Sequence, residues 1–167
     1  GLPSLPTWSP PKPTPTPSER QGPGWPHLRG ARYDAHADAT ELADVWPTEG
    51  PPVLWIRELG SGYSGLIVVG NRVYTQAQTG LDQVVLALDA ETGQTVWQYR
   101  YGFPYEPGGM YPGPRSTPTW ANGYLYYTTP EGEAGCLRAD DGKCVWSVPL
   151  KSRYAGLPVR VYGYTDT

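Results

Sequence analysis

Few residues in this chain are equipped for chemistry, and their spacing gives little of it. His27 and His36 are the only two histidines. Both lie in an irregular N-terminal stretch with no Cys or carboxylate at metal-ligand spacing, so they read as loop-packing or solvent-facing rings. Two cysteines, Cys136 and Cys144, flank one hairpin eight positions apart. Opposed residues across an antiparallel pair can approach disulfide distance, above all at a non-hydrogen-bonded site. A one-residue change of register would instead turn the two thiols to opposite faces. There is no Cys-x-x-Cys-His run for haem and no Gly-x-Ser-x-Gly nucleophile elbow. The glycine-rich Glu106-Pro107-Gly108-Gly109 lacks the Lys and the helix of a phosphate loop. Arg115 precedes an inner strand and suits loop anchoring better than ligand contact. The residues themselves imply no catalytic group, no metal and no cofactor.

The elements that would carry any site are short strands. The chain has 167 residues, with 20 Pro, 21 Gly, 7 Trp and 13 Tyr against one Phe and one Met. Formal net charge is −3, from 13 Lys and Arg and 16 Asp and Glu scattered along the chain. That leaves no basic patch of the kind that binds nucleic acid. Apolar runs are far shorter than the roughly 20 residues a membrane-spanning helix needs. Nine of the 20 prolines fall in Gly1–Pro26. The segment Pro10-Pro11-Lys12-Pro13-Thr14-Pro15-Thr16-Pro17 cannot supply ladder hydrogen bonds and favours extended polyproline II. Residues 1–24 are therefore a Pro-rich extended linker. Residues 25–52 are irregular, with a short helix over Asp38–Val45 that Asp38 would cap.

From Val53 onward the pattern is strand and tight turn: 53–59, 65–69, 72–77, 83–89 and 95–99, then 116–120, 124–128, 135–138 and 143–148. Gly70-Asn71, Asn122-Gly123 and Asp141-Gly142 supply the turns. The two series repeat. Ala87-Leu88-Asp89-Ala90-Glu91-Thr92-Gly93-Gln94-Thr95-Val96-Trp97 aligns with Cys136-Leu137-Arg138-Ala139-Asp140-Asp141-Gly142-Lys143-Cys144-Val145-Trp146 at an offset of 49. Asn71-Arg72-Val73-Tyr74 aligns with Gly123-Tyr124-Leu125-Tyr126 at 52, the difference lying in a loop near Thr79–Asp82. A period of about 50 residues with four strands per unit predicts an all-β fold, a partial β-propeller of four-stranded antiparallel blades. Such a sheet cannot bury both faces alone, so blades stack.

The pattern Ala-x-Asp-x-x-Thr-Gly-x-x-x-Trp over Ala87–Trp97 resembles the tryptophan-docking motif of pyrroloquinoline-quinone-dehydrogenase-like propellers. Trp25-Pro26-His27-Leu28-Arg29-Gly30, Leu54-Trp55, Gly62-Tyr63-Ser64 and Pro112–Thr119 resemble the opening of large secreted members of that family. The resemblance implies that Trp97 with Gly93, and Trp146 with Gly142, tie successive blades together. In the second copy Arg138 replaces the Asp and Asp141 the Thr, which puts the hairpin's hydrogen bonds in question. The family's enzymes hold the quinone and a calcium ion on the axis with an adjacent-cysteine disulfide. This chain has no adjacent cysteines and no dense carboxylate cluster.

The resemblance implies a periplasmic or extracellular setting and a non-catalytic module serving as scaffold or protein-binding surface. The alternatives are a fragment of a quinone-dependent dehydrogenase, or an accessory subunit tethered by the Pro-rich arm. The expected layout is a closing strand at 53–59 carrying Trp55, which lies 42 positions before Trp97, blades at about 64–99 and 116–148, and the start of a next blade at 160–167. Two blades cannot close a ring, for which roughly four are the minimum. The expected partners are therefore the remaining blades or another protein chain.

Overall fold

The structure is a computed structural model, and it describes residues 24–37, 45–106, 108 and 111–154. The Pro-rich run, most of the helix expected at Asp38–Val45, and the strand start expected at 160–167 lie outside the described residues. Among the described residues eight strands and one short helix follow in order: β1 Ile67–Val69, β2 Arg72–Gln78, β3 Gln83–Asp89, β4 Thr95–Gly102, β5 Thr119–Ala121, β6 Tyr124–Thr128, β7 Glu133–Arg138, β8 Cys144–Pro149 and α1 Leu150–Tyr154. They form two four-stranded antiparallel sheets, β1-β2-β3-β4 and β5-β6-β7-β8, each a simple up-and-down meander. These are blades one and two.

Turn chemistry explains the meanders. Asn122 and Gly123 both take positive φ, 50° and 82°. That is the type I′ geometry whose twist matches two paired strands. The blades are copies down to register. Tyr74 stands opposite Ala87 and Ala87 opposite Trp97. Tyr126 likewise stands opposite Cys136 and Cys136 opposite Trp146. A register shift follows Ala87 in one blade and Cys136 in the other.

Side chains alternate between two cores, as the period of two in a strand requires. Ile67, Tyr74, Val85 and Ala87 of blade one meet Leu125, Tyr127, Leu137 and Ala139 of blade two, flanked by Trp97, Tyr99 and Tyr101. The intervening residues Val73, Ala77, Val84, Leu86 and Leu88 make a second core on the other face of blade one. Among the described residues no strand of a further sheet covers that second core; Trp55, Leu59 and Ala90 pack on it. At the inner edge, Trp25 and Val68 exchange backbone hydrogen bonds at 2.6 and 3.0 Å, and Trp120 N donates to Pro26 O at 2.9 Å. The N-terminal segment thereby bridges the innermost strands of both blades.

The expected strand at Val53–Leu59 differs. These residues have no regular secondary structure and make no ladder with any described residue. A strand needs a neighbour for its N–H and C=O groups, and none of the described strands pairs with this segment.

Candidate functional site

The chemistry-bearing positions of this fold are its blade-to-blade contacts. The hairpin joining β7 to β8 presents Ala139 and Gly142 towards blade one. Trp97 Nε1 donates to Ala139 O at 3.0 Å, and Tyr74 Oη donates to the same oxygen at 3.1 Å. Both lone pairs of one buried carbonyl are thus used. The Trp97 ring lies flat on Gly142, where a Cβ would meet Trp97 Cε3 at 2.5 Å. Glycine is required there twice over, because Gly142 also has φ +71°.

The contact repeats one blade earlier. Trp55 Nε1 donates to Ala90 O at 3.0 Å, and a Cβ on Gly93 would meet Trp55 Cδ2 at 2.6 Å. Each tryptophan therefore lies on the glycine of the hairpin that follows it in sequence: Trp55 on Gly93, and Trp97 on Gly142. Arg57 adds hydrogen bonds to Gly93 O and Thr95 Oγ1, both at 2.7 Å. With Trp55, Arg57 and Leu59 turned to blade one, Val53, Leu54 and Ile56 are left 70%, 79% and 86% exposed.

The hairpins reach one backbone form by opposite electrostatics. In the first, Asp89 Oδ1 accepts from the N–H groups of Glu91 and Thr92 and from Thr92 Oγ1, all at 3.0 Å. The Thr92 N–H chiefly holds this carboxyl below the usual carboxylate range. In the second, Asp141 carries the negative charge and Arg138 the positive. Arg138 Nε donates to Asp141 Oδ1 at 3.0 Å and Lys143 N donates to it at 3.1 Å. Hydrogen bonding from Arg138 is the largest cause holding Asp141 well below its ordinary value. The backbone bonds agree: Gly93 N to Asp89 O and Gly142 N to Arg138 O are both 2.9 Å. The substitutions at Arg138 and Asp141 thus exchange the sign of the clasp and keep the turn.

Blade two's outer face repeats the donor pair. Tyr126 and Trp146 rings are 6.3 Å apart at 48°, close to the 5.9 Å and 42° of Tyr74 and Trp97. Trp146 Nε1 is buried and has no acceptor among the described residues. Cys136 and Cys144 are free thiols, the first buried and the second exposed. They do not approach as an opposed pair. Cys136 stands opposite Trp146, and Leu137 stands opposite Cys144. Burial chiefly raises the Tyr126 and Tyr99 phenols, with smaller contributions from Cys136 and Cys144 respectively.

The remaining candidates anchor loops. Arg115 donates to Gly113 O at 3.0 Å and to Tyr111 O at 2.6 Å, with its guanidinium 5.2 Å from the Tyr105 ring. His27 stacks on Tyr33 at 4.3 Å, and His36 Nδ1 lies 2.9 Å from Asp34 O. Among the described residues no group of three or more His, Cys, Asp or Glu could hold a metal ion. The described residues offer no carboxylate cluster of the kind a quinone-bound calcium ion would need. No described helix is long and apolar enough to cross a membrane. Sequence reasoning missed Tyr74, Tyr126 and Arg57. The two tyrosines were visible only as a repeat at an offset of 52.

A family model described as outer membrane protein assembly factor BamB matches residues 39–99 and 81–164. Among solved structures, the quinohemoprotein alcohol dehydrogenase of Comamonas testosteroni is 21% identical, with a TM-score of 0.61, over 80% of this chain and 20% of that one. A europium-containing methanol dehydrogenase is 25% identical over 59% of this chain and 18% of its own, with a TM-score of 0.44. BamB from Moraxella catarrhalis is 19% identical over 53% of this chain and 22% of its own, with a TM-score of 0.36. The first likeness shows the fold; the other two are too loose to argue from. No curated protein matches. The chain spans between 18% and 22% of these solved structures. On the family match and the two repeated blades, this chain belongs to the PQQ-like β-propeller repeat family.

Proposed function

We propose that the chain is a non-catalytic propeller module that serves as a scaffold or protein-binding surface in an extracytoplasmic assembly. The observation that supports this most is the segment 53–59. Trp55, Arg57 and Leu59 fix it on blade one, yet its backbone has no ladder partner among the described residues, and Leu54 and Ile56 face solvent at 79% and 86% exposure. A pinned strand with free hydrogen-bonding groups and exposed aliphatics is a template for strand addition. Its partners are the strands of a closing blade or those of another protein. Trp97, Gly93, Trp146, Gly142 and Trp55 are the docking residues that hold such blades in series.

The test is a photo-crosslinking residue at position 56 of the protein in its own cells. One discrete adduct, internal or to a partner, is expected, and Leu54→Asp should abolish it. Protein that remains uncrosslinked, with position 56 open to water, would count against the reading.

A second reading is a fragment of a pyrroloquinoline-quinone-dependent dehydrogenase whose active site lies mostly in other blades. Its support is the shared fold with a quinohemoprotein alcohol dehydrogenase. Tight binding of the quinone and calcium by the full-length protein would favour it over the scaffold.

A further inference from the structure

We propose that the cleft where the end of β4 meets the β6–β7 loop binds a primary alkylammonium group, with Glu131 and Glu133 as its charge partners and Tyr101, Phe103 and Pro149 as the wall for its alkyl chain. The inference goes beyond the scaffold reading and uses no part of segment 53–59.

The cleft has a volume of about 710 Å³ and lies between the two blades at their outermost strands. Its lining is mostly apolar, with Glu131, Glu133 and Lys151 as the charged groups. The loop that carries the carboxylates is fixed. Gly132 N donates to Thr129 O at 3.0 Å, and Glu133 N donates to Thr129 Oγ1 at 3.1 Å. Glu131 Oε1 accepts from Gln83 Nε2 of blade one at 2.6 Å, so this carboxylate is held across the blade joint. Tyr127 Oη donates to Glu133 Oε1 at 3.4 Å, and the Tyr127 ring stacks on Tyr101 at 5.4 Å.

The polar groups at this joint call for a donor. Gln83 is fully buried, and its Nε2 spends both hydrogens, on Glu131 and on Phe103 O at 2.8 Å. Those two partners accept, which fixes the amide's orientation. Gln83 Oε1 is then a buried acceptor with no donor among the described residues, a costly state. The hydroxyl of Tyr101, a wall residue, is also buried without a partner among the described residues. Two carboxylates against one ammonium favour a cation. An ammonium brings three donors and no acceptor, and aromatic faces attract it. Phe103, 76% exposed, and Pro149 extend the wall as apolar surface for a chain behind the charge. A metal ion is a poorer occupant, because no group of three ligands is present among the described residues.

The experiment is an NMR titration of the 167-residue chain with n-pentylamine, charged at neutral pH, and with n-pentanol and pentanoate as neutral and anionic probes of equal length. The Gln83 side-chain amide and the Gly132 and Glu133 backbone amides report binding. Pentylammonium should give a saturable shift, with the other two probes about tenfold weaker, the worth of a charge-assisted hydrogen bond. Glu131→Gln keeps an acceptor for Gln83 and removes the charge, and should weaken pentylammonium about tenfold. Glu133→Gln, whose hydrogen bond stays within blade two, should also weaken it while the Trp97 indole resonance stays in place. Lys151→Met should tighten it. Pentanol binding as tightly as pentylammonium, or both glutamine variants binding like the parent, would reduce the site to an apolar cleft and overturn the assignment. No saturable shift with n-pentylamine would mean that the cleft holds water only and would overturn it as well. Neither result touches the crosslink expected at position 56, so this inference and the scaffold reading fail separately.

Discussion

Replacing Gly142 with Ala separates two costs that glycine avoids in this fold, if Gly70→Ala is made beside it. Both residues have positive φ, +71° and +57°. Alanine at either site pays for left-handed backbone, about 1–2 kcal/mol. Around Gly70 a Cβ would meet nothing within 4 Å, so that is its whole cost. At Gly142 the Cβ would lie 2.5 Å from Trp97 Cε3 and 2.7 Å from Cδ2, so the indole must lift from the hairpin. Lifting it also strains the 3.0 Å bond from Nε1 to Ala139 O. Overpacking of this kind costs about 1–3 kcal/mol. The carbonyl keeps Tyr74 as a donor, so the penalty of an orphaned acceptor is not added. Gly142→Ala should therefore lose about 2–5 kcal/mol and Gly70→Ala about 1–2 kcal/mol. Urea unfolding followed by tryptophan fluorescence measures both. In a Trp97→Ala background the excess at Gly142 should vanish, because the clashing ring is gone. Equal losses at the two glycines, or an excess that survives in that background, would refute the docking geometry.

Other predictions are independent of it. Iodoacetamide should label Cys144 in the native chain and leave Cys136 untouched, since Cys136 is 2% exposed and burial pushes its thiol up to about 11; two labels without denaturant would contradict this. Asp141 is held below its ordinary value by Arg138, so its contribution is complete above the unfolded carboxyl pKa of about 4 and is lost as pH falls through the lower folded value. Asp141→Asn should flatten that acid limb of stability, while the double change Arg138→Asp with Asp141→Thr should rebuild blade one's hydrogen-bonded turn. Burial raises Tyr74 to about 12 and raises Tyr101 and Tyr127 further. These three should resist ionisation in an ultraviolet titration that takes exposed tyrosines through about pH 10, and stability should fall above that pH as the unfolded chain ionises first.

The repeat made the blades legible because each depends on local chemistry: a turn glycine, an alternating strand and a large aromatic at fixed spacing. The strand ends were less legible. β5 begins at Thr119, although the run from Ser116 looked continuous. Pro118 has no N–H to give a ladder. The cysteine pairing turned on the register of the β7–β8 hairpin, which places Trp146 rather than Cys144 opposite Cys136 and which spacing alone does not fix. Tyr74 was missed as a docking residue because its acceptor, Ala139 O, is 65 positions away on another blade and is a backbone atom that any residue would supply. The swapped clasp of Arg138 and Asp141 read as a defect when each position was judged alone, and as a conserved turn only when both charges were seen on one hairpin.

Two docked blades leave segment 53–59 pinned by the side chains of Trp55, Arg57 and Leu59 and without a backbone partner among the described residues. Amide hydrogen exchange of the 167-residue chain, resolved by peptide, measures whether that backbone is open. Val53–Leu59 should exchange at nearly the rate of free peptide while Val84–Leu88 stays protected. Protection of Val53–Leu59 equal to that of Val84–Leu88 would mean the segment already belongs to a closed sheet, and would overturn the reading of 53–59 as an open edge.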